Sequence, residues 1–298
     1  MRSLNATPGE IEPVLGSHGL AVRCFGNFEV VRNGCFIHDW RRDKAKALLK
    51  VLIAHHGSVQ RDVLLELLWP ELEPDSALRN LRVTLHALRR ALASGQIGDA
   101  TPYVLTRGGA YEMNPGAPVW VDTHAFCTLF DRAAGLWRRG QIDESLQAYE
   151  AAEALYRDDY LLDDLYEEWT FMPREQLKDR YLLVVTRLAD AALTLQDHDS
   201  CIDYCHKILA RDAAREDAYQ RLMRCHAQMG RPARALRWYE LCRETLRRDL
   251  NVSPSTETVR LANSIATGRV ALIDVRSERE QRHAMEAPRD GTRAAALA

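Results

Sequence analysis

The stretch over residues 75–92, DSALRNLRVTLHALRRAL, constrains the fold of this chain more than any other segment. Its leucines recur at alternating steps of three and four residues, so at about 100° per residue they form one apolar stripe along a helix. They are Leu78, Leu81, Leu85, Leu88 and Leu92. The same stretch contains four arginines and one carboxylate, although the whole chain has a formal net charge of -2. The pattern predicts an amphipathic helix with one buried face and one cationic face, which either lies in solvent or meets an anionic partner.

The segments around this helix predict a small sheet, two further helices and a glycine-containing hairpin. The runs LAVRCF, FEVV and CFIH are β-like, and the Asn33-Gly34 pair between the last two is typical of a tight turn. Helices are expected over residues 43–55 and 61–68, and short strands over 103–106, 110–113 and 119–122. Two helices joined by a short turn and followed by such a hairpin have the order of a helix-turn-helix and its wing.

This context favours DNA as the anionic partner. A helix fits the major groove, where arginine side chains meet guanine edges and phosphates. The residues of the 75–92 helix expected nearest to bases or phosphates are Arg79, Asn80, Val83, His86 and Arg90, with Arg82 on the flank. Lys44, Lys46 and Arg61 are expected to reach backbone phosphates, and Arg107 at the wing tip the adjacent groove.

From residue 123 onward the pattern is almost entirely helical and repeats itself. Helix pairs align when Gly140, Gln196 and Gly230 are superposed, and Cys201 and Ala235 are then 34 residues apart, as in tetratricopeptide (TPR) repeats. The aligned packing positions are Ala133, Ala189 and Met223; Ser145, Cys201 and Ala235; Tyr149, Cys205 and Tyr239; and Ala152, Ile208 and Cys242. A longer interval before Cys201 predicts an extra helical segment over residues 158–180.

The sequence argues against several other kinds of site. None of the seven cysteines is spaced as Cys-x-x-Cys, which indicates thiols in a reducing compartment. Cys201, Cys205 and His206 resemble metal ligands at helical spacing, but both cysteines fall on repeat-packing positions, so we predict no metal site. Catalytic and phosphate-binding motifs such as Gly-x-Ser-x-Gly, His-Glu-x-x-His and Gly-x4-Gly-Lys-[Ser/Thr] do not occur. We therefore expect no enzyme and no cofactor, and we interpret the acidic pairs over 158–168 as a solvated rim.

The chain of 298 residues, 46% of them hydrophobic, suits two domains. We expect a disordered lead-in over 1–19, a winged-helix domain over 20–122, a helical repeat domain over 123–276 and a disordered tail over 277–298. No uncharged apolar run approaches the roughly 18 residues of a membrane-spanning helix, and no signal peptide is evident. The expectation is a cytoplasmic protein with no membrane partner.

Two stretches carry a resemblance to a known family. GRPARALRWYELCRETLRRDLNVSPSTET, over 230–258, resembles the signature of the bacterial transcriptional activator domain (BTAD). FGNFEVVRNG, KALLKVLIAHHG, LLELLWPELEPDSALRNLRVTLHALRRAL and GGAYEM resemble the winged-helix half of Streptomyces antibiotic regulatory proteins (SARPs) and AfsR-like activators. The resemblance covers roughly residues 20–263. The sequence departs from the family at two places. RDLNV, over 248–252, replaces a segment that usually contains glutamate and glycine, and the wing has Gly-Gly-Ala-Tyr where the family more often has a Gly-Tyr pair.

The resemblance implies a mainly α fold, with an OmpR-like winged helix-turn-helix followed by TPR-like repeats. It also implies a nucleoid-associated, sequence-specific activator that binds direct repeats in double-stranded promoter DNA, as a homodimer, and contacts RNA polymerase. The polymerase contact would lie in the loop over 69–74, at Trp69, Glu71 and Glu73. The alternative interpretation is a TPR-like protein-interaction adaptor with a vestigial winged helix, which would not need Arg79 or Arg90.

Overall fold

The computed structural model describes residues 19–55, 57–93 and 102–269. The contacts divide the chain into two compact units, Met1–Val184 and Val185–Ala298. The expected lead-in, apart from Gly19, and the expected tail lie outside the described residues. The domain boundary expected between residues 122 and 123 stays a prediction.

The strands are β1 (Leu20–Arg23), β2 (Glu29–Arg32), β3 (Cys35–Phe36), β4 (Val59–Gln60), β5 (Val104–Arg107), β6 (Ala110–Met113) and β7 (Val119–Val121). The helices are α1 (Asp43–Ala54), α2 (Arg61–Leu68), α3 (Pro74–Leu92), α4 (Asp122–Arg138), α5 (Ile142–Leu155), α6 (Glu168–Thr194), α7 (His198–Arg211), α8 (Glu216–Gln228), α9 (Pro232–Leu250) and α10 (Thr256–Ala266). Among the described residues, no helix is both long enough and apolar enough to cross a membrane.

The N-terminal sheet has four strands in the order β3-β2-β1-β7. β2 and β3 form the expected hairpin, whose turn places Asn33 at φ 49° and Gly34 at φ 80°. β7 returns after the three helices and pairs in parallel with β1, with Ala21 opposite Trp120. The sheet therefore brings the end of the winged-helix segment back to its beginning.

The second sheet, β4-β6-β5, forms the wing. Its hairpin turn uses two glycines with positive φ, Gly108 at 56° and Gly109 at 83°, a conformation that favours glycine. β4, which the sequence analysis did not predict, consists of two residues and pairs with β6 through Val59 and Tyr111. A strand of two residues is too short to show the period-two pattern by which strands are recognised.

Asp122, the first residue of α4, joins that helix to the N-terminal sheet. Its side chain is buried, and its carboxylate accepts hydrogen bonds from three backbone N–H groups. The N–H of Cys24 lies 2.8 Å and 2.9 Å from the two carboxylate oxygens. The N–H groups of Phe25 and Thr123 donate at 2.9 Å and 2.7 Å. Burial raises the pKa of Asp122 to about 6, against the lowering effect of these backbone hydrogen bonds. Phe25 also packs edge-on against Phe126 of α4, with ring centroids 5.3 Å apart.

The aligned repeat positions are packing positions, as the sequence analysis predicted. In the first unit Ser145 is fully buried, and its hydroxyl donates to the Ala133 carbonyl at 2.8 Å. In the second unit the aligned residues Ala189, Cys201, Cys205, Ile208, Met223, Ala235 and Cys242 have no exposed surface, whereas Tyr239 is half-buried. Small side chains at these positions allow neighbouring helices to approach closely.

The extra helical segment expected over residues 158–180 was partly wrong. A short 3-10 turn, Leu162–Asp164, precedes α6, which begins only at Glu168. Leu161 adopts φ 49°, and the buried guanidinium of Arg174 donates to the carbonyls of Tyr160 at 2.8 Å and Leu161 at 3.2 Å. These contacts hold the segment before α6 in a non-helical conformation.

Candidate nucleic-acid interface

α3 is anchored by a buried face wider than its five leucines. Leu81 and Leu88 have no exposed surface, and Leu85 is 7% exposed. Thr84 and Ala87, which are not part of the leucine stripe, are also buried. Because nearly half of the circumference of the helix is fixed against the core, the direction of its opposite face is fixed as well.

That opposite face carries most of the residues expected to contact DNA. Arg79, Arg82, Val83, His86 and Arg90 are exposed, and Asn80 is half-buried. The Arg79 guanidinium donates to the Ser76 hydroxyl at 2.8 Å. Of the ion pairs formed within the described part of the chain, none involves Arg79, Arg82 or Arg90. Three cations that have no carboxylate partner within the described residues therefore share one accessible face.

Arg89 connects α3 to the wing, a role that the sequence analysis missed. Its Nε and Nη2 donate to the Val104 carbonyl of β5 at 3.3 Å and 3.1 Å, and Nη2 also donates to the Thr106 hydroxyl at 2.8 Å. The sequence places Arg89 beside the leucine stripe but does not show which element lies there. The contact sets the position of the wing relative to the last turn of α3.

The wing tip carries Arg107, whose side chain is 75% exposed. Its Nη1 lies 3.6 Å from a carboxylate oxygen of Glu112 on β6, so the charge has an intramolecular partner at the edge of ion-pair distance. The wing turn also joins α2, because the Gly109 carbonyl accepts from the Arg61 N–H at 3.1 Å. The exposed Arg61 side chain pairs with its neighbour Asp62 at 3.0 Å. Arg61 and the wing turn are thus close together in space.

The two lysines expected at phosphates differ in their surroundings. Lys44 is exposed on α1. Lys46 pairs with Asp163 at 3.1 Å and lies 5.7 Å from the centroid of the Phe28 ring. Burial alone would raise the pKa of Asp163, but the hydrogen bond and the charge of Lys46 outweigh burial and lower it. Because its ammonium group is held by this ion pair, Lys46 is a weaker candidate for a phosphate contact than Lys44.

Asp164 forms a second ion pair of this kind, with the buried Lys50 of α1. The acidic pair over 163–164 was interpreted as a solvated rim, but the structure shows that both of its carboxylates pair with lysines of α1. Both ion pairs lie within the first compact unit.

The loop between α2 and α3 presents acidic and apolar side chains. Glu71 and Glu73 are exposed, Leu72 is 41% exposed, and Trp69 is half-buried. The Leu72 N–H donates to the Trp69 carbonyl at 3.1 Å, and the Glu73 carbonyl accepts from the first N–H groups of α3. The loop is therefore ordered by backbone hydrogen bonds and leaves two carboxylates accessible.

The cysteines of α7 belong to the helix packing. Cys201 and Cys205, and Cys225 of the neighbouring α8, are free cysteines with no exposed surface. His206 is exposed, and its ring centroid lies 5.6 Å from that of Trp238. Among the described residues, no group of three His, Cys, Asp or Glu side chains is arranged to hold a metal ion.

The first segment folds as a winged helix-turn-helix whose α3 has a cationic exposed face, and a TPR-like helical region follows it in the chain. Residues 121–266 match the family model of the bacterial transcriptional activator domain. The regulatory protein DnrI of Streptomyces peucetius is 26% identical over 251 residues, which cover 83% of this chain and 92% of that protein. The transcriptional regulatory protein MoaR1 of Mycobacterium tuberculosis is 24% identical over 213 residues, which cover 71% of this chain and 68% of that protein.

A solved structure of Mycobacterium tuberculosis EmbR, in complex with a low-affinity phosphopeptide, superposes with a TM-score of 0.70. The match covers 89% of this chain and 69% of that chain at 20% identity, so the likeness is one of fold. The family-model match therefore covers the helical region, and the similarity to the two named regulatory proteins extends over most of the chain. Both named sequence relatives are described as regulatory proteins.

Proposed function

We propose that this chain activates transcription by binding direct repeats in promoter DNA, with α3 in the major groove of each repeat. The observation that carries the proposal is the exposed face of α3, where Arg79, Arg82 and Arg90 form no ion pair within the described residues. Cations on a helix of this width suit the phosphates and guanine edges that line the major groove.

The spacing of the arginines limits the length of the sequence that one helix reads. Arg79 and Arg90 are eleven residues apart and differ by only about 20° around the helix. At about 1.5 Å per residue they are separated by about 16 Å, or nearly five base pairs at about 3.4 Å each. A helix that lies oblique to the groove shortens this reach. The proposal therefore assigns two guanines, no more than about five base pairs apart, to each repeat.

Contacts outside α3 would orient the protein on the duplex. Arg107 at the wing tip is placed to enter the adjacent minor groove, where it would exchange its loose contact with Glu112 for phosphate or base oxygens. Lys44 and Arg61 are exposed and suit backbone phosphates. These contacts raise affinity for any sequence, whereas those of α3 select the site.

The remaining partners are proposed from the similarity to known transcriptional regulators. The exposed carboxylates of Glu71 and Glu73, beside Leu72, suit a basic surface with an apolar centre, and we assign this loop to RNA polymerase. Two copies of the chain on adjacent direct repeats would each present the loop on the same side of the duplex when the repeats are one helical turn apart.

A selection of genomic DNA fragments by the purified full chain at near-physiological salt tests the proposal. The test compares wild type with an Arg79→Ala, Arg90→Ala double variant. A second double variant, Arg237→Ala, Arg247→Ala, removes two exposed arginines from α9 and matches the change in net charge. Recovery of a repeated short motif by wild type and the α9 variant, and not by the α3 variant, would support the proposal. No motif, or equal recovery by all three proteins, would favour the adaptor alternative.

A further inference from the structure

Val83 lies on the exposed side of α3, about 200° of rotation from Leu81 and Leu85. It is 46% exposed and lies about 40° from the buried Ala87, at the edge of the exposed face. Arg79 is one turn before it, and Arg90 is two turns after it and only about 20° away around the helix. A partly exposed apolar side chain therefore lies between the two arginines along the helix.

The fold gains little from a valine at this position. A β-branched residue on the exposed side of a helix loses side-chain rotamer freedom relative to alanine. Nearly half of its apolar surface also stays in water, while Leu81 and Leu85 supply the contacts to the core. An apolar group that covered this exposed part would add a favourable contact.

The major groove offers one apolar group among its base edges, the C5 methyl of thymine. Resting on the proposed function, we infer that Val83 contacts a thymine methyl between the two guanines assigned to Arg79 and Arg90, and so determines one position of the site. Burial of about one methyl group by this contact corresponds to about a fourfold gain in affinity. The arginines then select guanines, and Val83 selects thymine.

The test uses the DNA motif recovered by the full-length wild-type chain. Each thymine of that motif is replaced in turn by deoxyuridine, which keeps the base-pairing groups and lacks only the methyl. Dissociation constants are measured by fluorescence anisotropy for wild type, Val83→Ala and Val83→Thr, the last of which keeps the shape of valine and makes it polar. Val63→Ala is the matched control, because Val63 is a valine that is 40% exposed on α2.

The inference expects one thymine at which deoxyuridine weakens wild-type binding about fourfold. The same replacement should leave the dissociation constant of Val83→Ala unchanged and should weaken binding by Val83→Thr less than fourfold. It should weaken binding by Val63→Ala as much as it weakens wild-type binding. If no thymine shows the effect, or if Val83→Ala keeps it in full, the inference is overturned while the proposed function stands. Failure to recover any motif with wild type would overturn both.

Discussion

Arg89 and Arg90 are adjacent arginines on α3, and the structure gives them different tasks. Arg89 donates to the Val104 carbonyl and to the Thr106 hydroxyl, whereas Arg90 is exposed and forms no ion pair among the described residues. Replacing either by alanine removes one positive charge from the same turn. We expect Arg89→Ala to release the wing and Arg90→Ala to leave it in place.

The size of the Arg89 effect follows from its contacts. A hydrogen bond from a charged donor contributes about 1.5–3 kcal/mol, and values near the lower limit apply because the site is only partly buried. The hydrogen bonds of Arg89 to its two acceptors on β5 therefore stabilise the attachment of β5 to α3 by about 2–3 kcal/mol. The wing keeps its pairing with β4 and the bond from the Arg61 N–H to the Gly109 carbonyl, so it should loosen without unfolding the domain.

Hydrogen exchange measures this loosening directly. The free energy of opening of the β5 and β6 amides should fall by about 2–3 kcal/mol in Arg89→Ala and stay unchanged in Arg90→Ala. DNA affinity should fall in both variants, through a mobile wing in the first and a lost base contact in the second. Unchanged wing exchange in Arg89→Ala, or equal wing exchange in the two variants, would refute the assignment.

Three further predictions concern single side chains. Because burial raises the pKa of Asp122 to about 6, above its usual value of 3.8, the folded state binds the proton more tightly, and stability should fall by about 2 kcal/mol between pH 4 and pH 7. Urea denaturation should show this fall in wild type, and an equal fall in Asp122→Asn would contradict it. Lys44→Ala should reduce the slope of log affinity for DNA against log salt concentration by about one, as expected for the loss of one phosphate contact. Lys46→Ala should leave this slope unchanged, because Lys46 is paired with Asp163. A larger change in slope for Lys46→Ala than for Lys44→Ala would exclude this assignment. The double variant Glu71→Ala, Glu73→Ala should reduce transcription by purified polymerase at constant DNA occupancy, and full activity would place the polymerase contact elsewhere.

Much of the fold could be predicted because local patterns determine it. The leucine spacing of α3 predicted its length to within one residue, and Asn33-Gly34 and Gly108-Gly109 marked the turns of the β2-β3 and β5-β6 hairpins. In the repeat region, the small side chains aligned with Cys201 and Ala235 identified the packing positions. Each of these signals lies within a few residues of the element that it predicts.

The parts that could not be predicted depend on residues far apart in the sequence. Lys46 and Asp163 are 117 positions apart, and the Asp122 carboxylate meets the backbone of Cys24 98 positions away. The contact of Arg89 with β5 likewise depends on how the wing folds back onto α3. No periodic pattern connects such partners, so the sequence does not show which charged side chains are paired and which are free.

Methylation interference on the recovered promoter site tests the central claim most directly, because the N7 atom of guanine lies in the major groove. We expect N7 methylation of two guanines per repeat, no more than about five base pairs apart, to block wild-type binding. Arg79→Ala and Arg90→Ala should each become insensitive to one of the two. Interference at no guanine, or the same pattern in wild type and both variants, would contradict the claim that α3 reads the site.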